Sequence, residues 1–378
     1  MKVLVNAISA RMGGIVTYTR NLQTSFSERE VDAEFAVSAR FPQDGPAFSH
    51  LAASDLRPAA RLVWEQLFWR RIVARRKPDI LFSSANFGLF NAPVPQVLLV
   101  REGGLFDPFY LANVAPQQGV KQALQRSIRR RVIIASARHA DRVLTPSQST
   151  ANSLLLWAPD LESKITVTPY GTRAEQFRPA EGSRRVWRAD GILKLLYVSV
   201  YYPHKQPGLV CRAAEALQDS GVAARATITM ELTETKDFKG GAHDGKLMAR
   251  AHANGLLDCG RKSYDSLPDL YRNHDVFVFP SISETFGHPM AEALSSGIPC
   301  VVADTPVNRE ICGDAALYFE PLSLASLLGC LRQLDTEPGL RDTLVERGRD
   351  RVLQFFTWPQ HVDRLLAVFD DIMRIRKG

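Results

Sequence analysis

Two glutamates with seven residues between them, Glu284 and Glu292, sit in the segment SISETFGHPMAEALSSGIP at 281–299. A carboxylate accepts two hydroxyl hydrogen bonds at once, so two carboxylates so placed suit the hydroxyls of a sugar and a ribose. Gly287 lets a ligand approach the backbone closely, and Pro289 suits the first turn of a helix over 289–295. Thr285, Phe286, Gly287 and His288 then offer backbone amides at a helix N-terminus, where anionic or hydroxyl-rich ligands bind.

A second group ends the stretch YVSVYYPHK at 197–205, with His204 and Lys205. A lysine in this place can neutralise a departing diphosphate; the plainer reading is a solvated loop lysine. Gly13 and Gly14 follow the first apolar stretch, with Arg11 beside them. Without the spaced third glycine of a dinucleotide fingerprint they make either a phosphate loop or a tight turn. Arg101 and Glu102 follow the run VLLV. Arg101 either binds an acceptor phosphate or a donor hydroxyl, or pairs with Glu102. The eight histidines show no ligand-like spacing, so no metal is expected.

These residues need elements to hold them. Apolar runs at 2–6, 80–82, 97–100, 142–144 and 165–167 read as strands, with helical patterns between them. Alternating strands and helices predict a parallel α/β sheet. The stretch 176–190, with Pro179, Gly182 and many charges, reads as a linker. The pattern restarts with a strand at 193–200, a helix at 209–217, and strands at 226–230, 276–279 and 299–303. A chain of 378 residues also exceeds what one core usually holds, so two Rossmann-like units in series are predicted. Helices over 340–355 and 360–376 close the chain, punctuated by Thr357, Trp358 and Pro359. Glu284 then stands at the carboxyl end of a parallel strand, at the mouth of a crevice.

No apolar run reaches the roughly 20 residues a bilayer span needs. The opening MKVLVNAISARMGG reads as a first strand and not as a secretory signal, so a cytoplasmic location is expected, at the inner face of the membrane if a membrane is used. Five cysteines, all in the second half and without a CxxC pair, read as reduced thiols. The net charge of +7 is uneven: residues 1–180 carry 23 Lys+Arg against 14 Asp+Glu, and the remainder 24 against 26. The first half should therefore prefer an anionic partner. No nucleic-acid reading module is present, so nucleic acid is not expected. Two basic segments stand out. Residues 61–77 combine Trp64, Phe68 and Trp69 with six cations, and residues 120–132 carry a stripe of Val120, Leu124, Ile128 and Val132 among arginines. Each lies either on an anionic membrane surface or against the core with a basic outer face.

With the apolar strand before it and SGIP after it, the glutamate pair resembles the signature of glycosyltransferase family 4. The stretches RVLTPS (142–147), ITVTPYGTRAEQFRP (165–179), 259–271 and FTW (356–358) resemble the same family in order, so the likeness covers nearly the whole chain. It implies a GT-B fold: α/β, two Rossmann-like domains facing a cleft, and a C-terminal helix crossing back to the first domain. Residues 1–180 with about 357–378 would form the acceptor-binding domain, and 190–356 the nucleotide-sugar-binding domain. The resemblance implies that Glu284 contacts the transferred sugar, that Glu292 holds the ribose, and that the amides from Thr285 to His288 meet sugar hydroxyls and phosphate oxygens. It places Lys205 and His204 near the donor diphosphate and the Gly13–Gly14 loop across the cleft from it. Arg101 stands where many relatives carry a histidine beside the reacting sugar. The Trp64, Glu65, Gln66 helix also occurs in relatives, which favours a structural role there. One position departs. The family usually has an arginine a few residues before the lysine, where this chain has Val200, so His204, another basic residue or a helix dipole must compensate.

The activity so implied is retaining transfer of a hexose, with mannose or a deoxyhexose among the candidates. The donor is a nucleotide sugar and the acceptor a saccharide or a lipid-linked saccharide, in surface polysaccharide or lipopolysaccharide synthesis. The nucleotide sugar is a substrate, and no cofactor is expected. Retention without an obvious nucleophile implies a front-face displacement in which the donor phosphate helps deprotonate the acceptor. Two rivals remain: a nucleotide-sugar epimerase of the same architecture, and a transferase-like binding subunit without catalysis.

Overall fold

Runs rich in Val, Leu, Ile and Phe, buried on both faces, build two all-parallel sheets, as runs of that kind do when helices cover both sides. The computed structural model describes residues 1–11, 14–179 and 185–377. Gly13 and residues 180–184 of the expected linker lie outside the described residues.

The chain divides into two compact units. Unit 1 comprises Met1–Phe106, Leu124–Gly171 and Trp358–Gly378; unit 2 comprises Asp107–Ala123 and Thr172–Thr357. Unit 1 holds strands β1 (Lys2–Ala7), β2 (Asp32–Ser38), β3 (Phe48–Leu51), β4 (Ile80–Ser83), β5 (Gln96–Leu99), β6 (Arg142–Thr145) and β7 (Ile165–Val167), in the spatial order β3-β2-β1-β4-β5-β6-β7. Unit 2 holds β8 (Leu193–Tyr197), β9 (Ala224–Ile228), β10 (Leu257–Cys259), β11 (Val276–Phe279), β12 (Cys300–Ala303) and β13 (Leu317–Phe319), ordered β10-β9-β8-β11-β12-β13. The strand order reverses between β1 and β4 in the first sheet and between β8 and β11 in the second. Open parallel sheets bind ligands at such switch points, beyond the carboxyl ends of the strands.

The cores follow from helical spacing. The helix Gly14–Glu28 turns Tyr18, Leu22 and Phe26 inward at four-residue steps. Leu4, Ile8, Trp69, Val73 and Leu81 form one buried cluster of unit 1, and Leu98, Ile133, Val143 and Leu154 belong to another. The final helix, Trp358–Lys377, buries Val362, Leu365, Phe369 and Ile372. His361 locks it in place: Nδ1 lies 2.8 Å from the Pro169 carbonyl and Nε2 lies 3.0 Å from the Tyr18 hydroxyl. Burial lowers the His361 pKa to about 4, so the ring is neutral and carries one N–H. That N–H donates to the carbonyl, and Nε2 accepts from Tyr18.

Strands β2, β3, β10 and β13 were not among the sequence expectations. β2 opens on charged positions, and β10 and β13 have three residues each. β8 ends at Tyr197, short of the expected Val200, because Ser199 leaves the ladder: its N–H donates to the Thr229 hydroxyl at 2.9 Å.

The chain passes between units at four points, two of them at 171–172 and 357–358. Thr172 bridges Thr357 in parallel, and its N–H donates to the Phe356 carbonyl at 2.7 Å. Next to them, a β-carbon on Gly171 would lie 2.5 Å from Trp358 Cα and 2.6 Å from its N, and backbone cannot step aside as a flexible side chain would. Gly171→Ala is therefore expected to destabilise the protein by about 1–3 kcal/mol, the usual cost of overpacking. Thermal unfolding checks this, and a melting temperature equal to that of the wild type would refute the close approach.

Candidate active site

The reversal between β8 and β11 places two loops side by side in unit 2. After β8 the chain makes a short turn, Pro203–Lys205, before the helix Pro207–Asp219. The Tyr197 hydroxyl donates to the Lys205 carbonyl at 2.8 Å, which fixes the turn from below. After β11 come Glu284 and the helix His288–Ser295, entered through Gly287 at φ 80°. That left-handed conformation favours glycine. Lys205 Nζ meets Glu284 Oε1 at 2.5 Å, and both side chains are nearly buried. Lys205 also lies 5.8 Å from the Phe279 ring centre.

Thr285 and His288 are half-buried, and Phe286 is fully buried. The Phe286 ring packs edge-on against His288 and Phe356, so its side chain anchors the loop and leaves only its backbone for a ligand. Glu292 is buried and accepts a hydrogen bond from the Tyr271 hydroxyl at 3.1 Å. Burial raises its pKa to about 7, against the pull of hydrogen bonds from Tyr271 and Tyr264. His204 lies stacked on Tyr202 and edge-on to Tyr110. Burial, and then Lys205 beside it, push its pKa well below the usual histidine range. A neutral His204 cannot supply the charge that Val200 fails to provide; Val200 itself is exposed.

The remaining expected residues gather at the carboxyl end of the first sheet. Glu102 does not pair with Arg101. It meets Arg129 at 2.7 Å and accepts weakly from Asn86 at 3.5 Å. Arg101 is tied by its backbone N–H to Asn86 Oδ1 at 2.7 Å, and its guanidinium lies over Tyr18 and Tyr170. Arg11 reaches Asp55 at 3.8 Å, so its charge is partly spent. Gly14 opens the helix Gly14–Glu28, with Arg101 Nη2 3.8 Å from the place of its missing β-carbon.

Three features escaped sequence reasoning. Tyr271, the partner of Glu292, lies 21 residues before it, and no spacing rule links them. Asp244 accepts from the Tyr201 hydroxyl at 2.9 Å and from the Gly208 N–H at 3.2 Å, bracing the Lys205 loop from a neighbouring helix. Glu65 is buried in a π-helical turn, Glu65–Trp69, with Arg61 at 3.5 Å, and burial raises its pKa to about 7. Only the unusual acid within an apolar helical stripe could have signalled it.

A buried acid with a raised pKa holds a proton that the unfolded chain gives up. Its contribution therefore falls as pH rises from about 4.5 to about 7 and is constant beyond. Glu292→Gln removes this titration. The variant is expected to match the wild type at pH 5 and to exceed its stability at pH 8, by an amount on the order of 3 kcal/mol at most. Denaturant unfolding at both pH values tests this, and a stability difference that does not change with pH would disprove a raised Glu292.

Comparison with known proteins bears on the family and the fold. The family model described as "Glycosyl transferases group 1" matches residues 183–351, and that described as "Glycosyltransferase Family 4" matches residues 12–176. The D-inositol 3-phosphate glycosyltransferase of Salinispora tropica is 28% identical over 252 residues, which cover 61% of this chain and 51% of that protein. The chain spans about half the length of the curated relatives it matches. Among solved structures, sucrose-phosphate synthase from Thermosynechococcus elongatus superposes with a TM-score of 0.79 at 16% identity, covering 99% of this chain and 100% of that one. The Anabaena protein HepE in complex with UDP-glucose gives 0.73 at 14% identity, covering 98% and 100%. At such identities these structures speak for the fold, which is GT-B. The two family matches together take in nearly all of the sequence, and the chain belongs to glycosyltransferase family 4.

Proposed function

We propose that this protein is a retaining glycosyltransferase that moves a hexose from a nucleotide sugar to a saccharide or lipid-linked acceptor. The observation that carries the reading is the contact between Lys205 and Glu284, two residues 79 apart brought together at the switch point of the second sheet. In this reading the donor diphosphate takes Lys205 from its partner, and Glu284, so released, accepts from hydroxyls of the transferred sugar. The amides of residues 285–288 meet the donor as the helix dipole favours. Glu292, already holding tyrosine hydroxyls, receives the ribose. No resident metal or cofactor takes part. The UDP and UDP-glucose bound in the Anabaena structures support a nucleotide-sugar donor. Mannose or a deoxyhexose as the sugar, and surface polysaccharide synthesis as the setting, belong to the same proposal.

A screen of UDP-, GDP- and ADP-sugars against saccharide acceptors tests it, read as release of nucleoside diphosphate and as product anomeric configuration. Lys205→Ala and Glu284→Gln are each expected to lower kcat/KM by about 10²–10³-fold, the scale of losing one electrostatic contact to developing charge. Inversion of configuration would sink the retaining assignment. An epimerised donor in the absence of acceptor would favour the epimerase, and no turnover with any donor would favour the binding subunit.

We further propose that the protein touches a membrane peripherally through its basic, apolar-studded helices. No helix among the described residues is long and apolar enough to cross a membrane. On the helix Val120–His139, however, Val120, Leu124 and Ile128 are 87, 62 and 53% exposed. Val63, Leu67 and Phe68 are exposed in the other basic segment, whereas Trp69 is core. Sedimentation with phosphatidylglycerol-containing vesicles checks this. The wild type is expected to sediment, and the Leu124→Asp, Ile128→Asp double variant to stay in the supernatant. Equal behaviour of the two would remove this surface from consideration.

A further inference from the structure

Arg101 differs from the other cations at the carboxyl end of the first sheet. Arg11 shares Asp55, Arg61 has Glu65, and Arg129 has Glu102. Arg101 makes no ion pair among the described residues, and its Nη1 is closed to solvent without a hydrogen-bond partner. The guanidinium carbon lies 5.7 Å from the Tyr18 ring centre and 5.6 Å from that of Tyr170. Both rings are fully buried and are wedged in turn by His361. Aromatic faces attract a cation but do not accept its in-plane N–H bonds, so the guanidinium is aimed without being satisfied. Asn86 fixes its backbone, and Glu102, the nearest acid in sequence, is engaged by Arg129. A β-carbon on Gly14 would stand 3.8 Å from Nη2, in ordinary contact with it.

A planar fork held in one direction with unspent donors fits a carboxylate or a phosphate, which it can grip with two parallel bonds. We propose that Arg101 is a specificity-determining residue that recognises an oxyanion on the acceptor, so that the protein selects acidic or phosphorylated saccharides over neutral ones. This inference rests on the transferase reading, since it assigns the acceptor to unit 1. The shared chemistry is the oxyanion; its source is either a uronic carboxylate or a phosphate ester.

Equilibrium binding of glucose 6-phosphate, glucuronate and glucose to the full chain tests it, with UDP and GDP titrations reporting an intact unit 2. At least one anionic sugar is expected to bind the wild type tenfold or more tightly than glucose, and the tighter of the two identifies the source. Arg101→Gln is expected to bring all three within twofold while nucleotide affinity is unchanged. Gly14→Val, which crowds Nη2 and keeps the charge, serves where the first variant fails to fold and is expected to weaken the anion at least fivefold. Equal binding of all three sugars by the wild type overturns the proposal, as does a folded Arg101→Gln that keeps the preference. Binding is read without turnover, so a chain that never releases nucleoside diphosphate defeats the transferase reading alone. Loss of the anion preference with turnover retained defeats this proposal alone.

Discussion

The buried ion pair between Lys205 and Glu284 is the contact on which the second unit's site depends. Each side chain is about nine-tenths covered, so removing one partner leaves a poorly hydrated charge. Breaking such a pair costs more than breaking an exposed one, which contributes about 0–1 kcal/mol. The fold delivers the two residues because β8 and β11 are neighbours in space and strangers in sequence. Around the pair, Tyr197 pins the lysine loop, Asp244 braces its helix, the Phe286 ring anchors the glutamate loop, and the left-handed Gly287 turns that loop into its helix.

Glu284 and Glu292 are the same residue type eight positions apart, and their surroundings separate them. Glu284 faces a cation. Glu292 faces two tyrosine hydroxyls and makes no ion pair among the described residues, and burial raises its pKa to about 7. Near neutral pH such a group exists in both protonation states and can either accept from a hydroxyl or donate to one. One helix and the loop before it thus present an ion-paired carboxylate and a tyrosine-capped acid.

Much of this was legible in the sequence, because parallel strands buried on both faces print continuous apolar runs. The strands at 80–82 and 276–279 emerged that way, and the helix after Gly287 followed from one glycine and one proline. β10 and β13 were not legible, since three residues carry no period. Partnerships were least legible of all. Sequence leaves Arg101 beside Glu102, whereas consecutive residues leaving a strand point opposite ways, and the two diverge toward Tyr18 and Arg129. Likewise Tyr271 and Glu292 meet only because two helices flank one strand.

The departure at Val200 bears on how charge is distributed in the second unit. His204 is neutral, Arg261 is spent on Glu234, and Arg309 is spent on Asp304. Lys205, at the switch point, is paired with Glu284. A diphosphate carries enough charge to compete with a single carboxylate at that distance, and a neutral sugar does not. In the proposed reading, displacing the lysine frees Glu284 at the same moment, so the sugar's partner becomes available only when the diphosphate is in place. Under the proposed reading, recognition of sugar and diphosphate is therefore coupled through one bond. A free arginine at position 200 would weaken that coupling, because the diphosphate could then bind without disturbing Glu284. Under that same reading the valine, which looks like a loss from the sequence, leaves the ion pair as the point at which the donor diphosphate and the sugar's partner are linked.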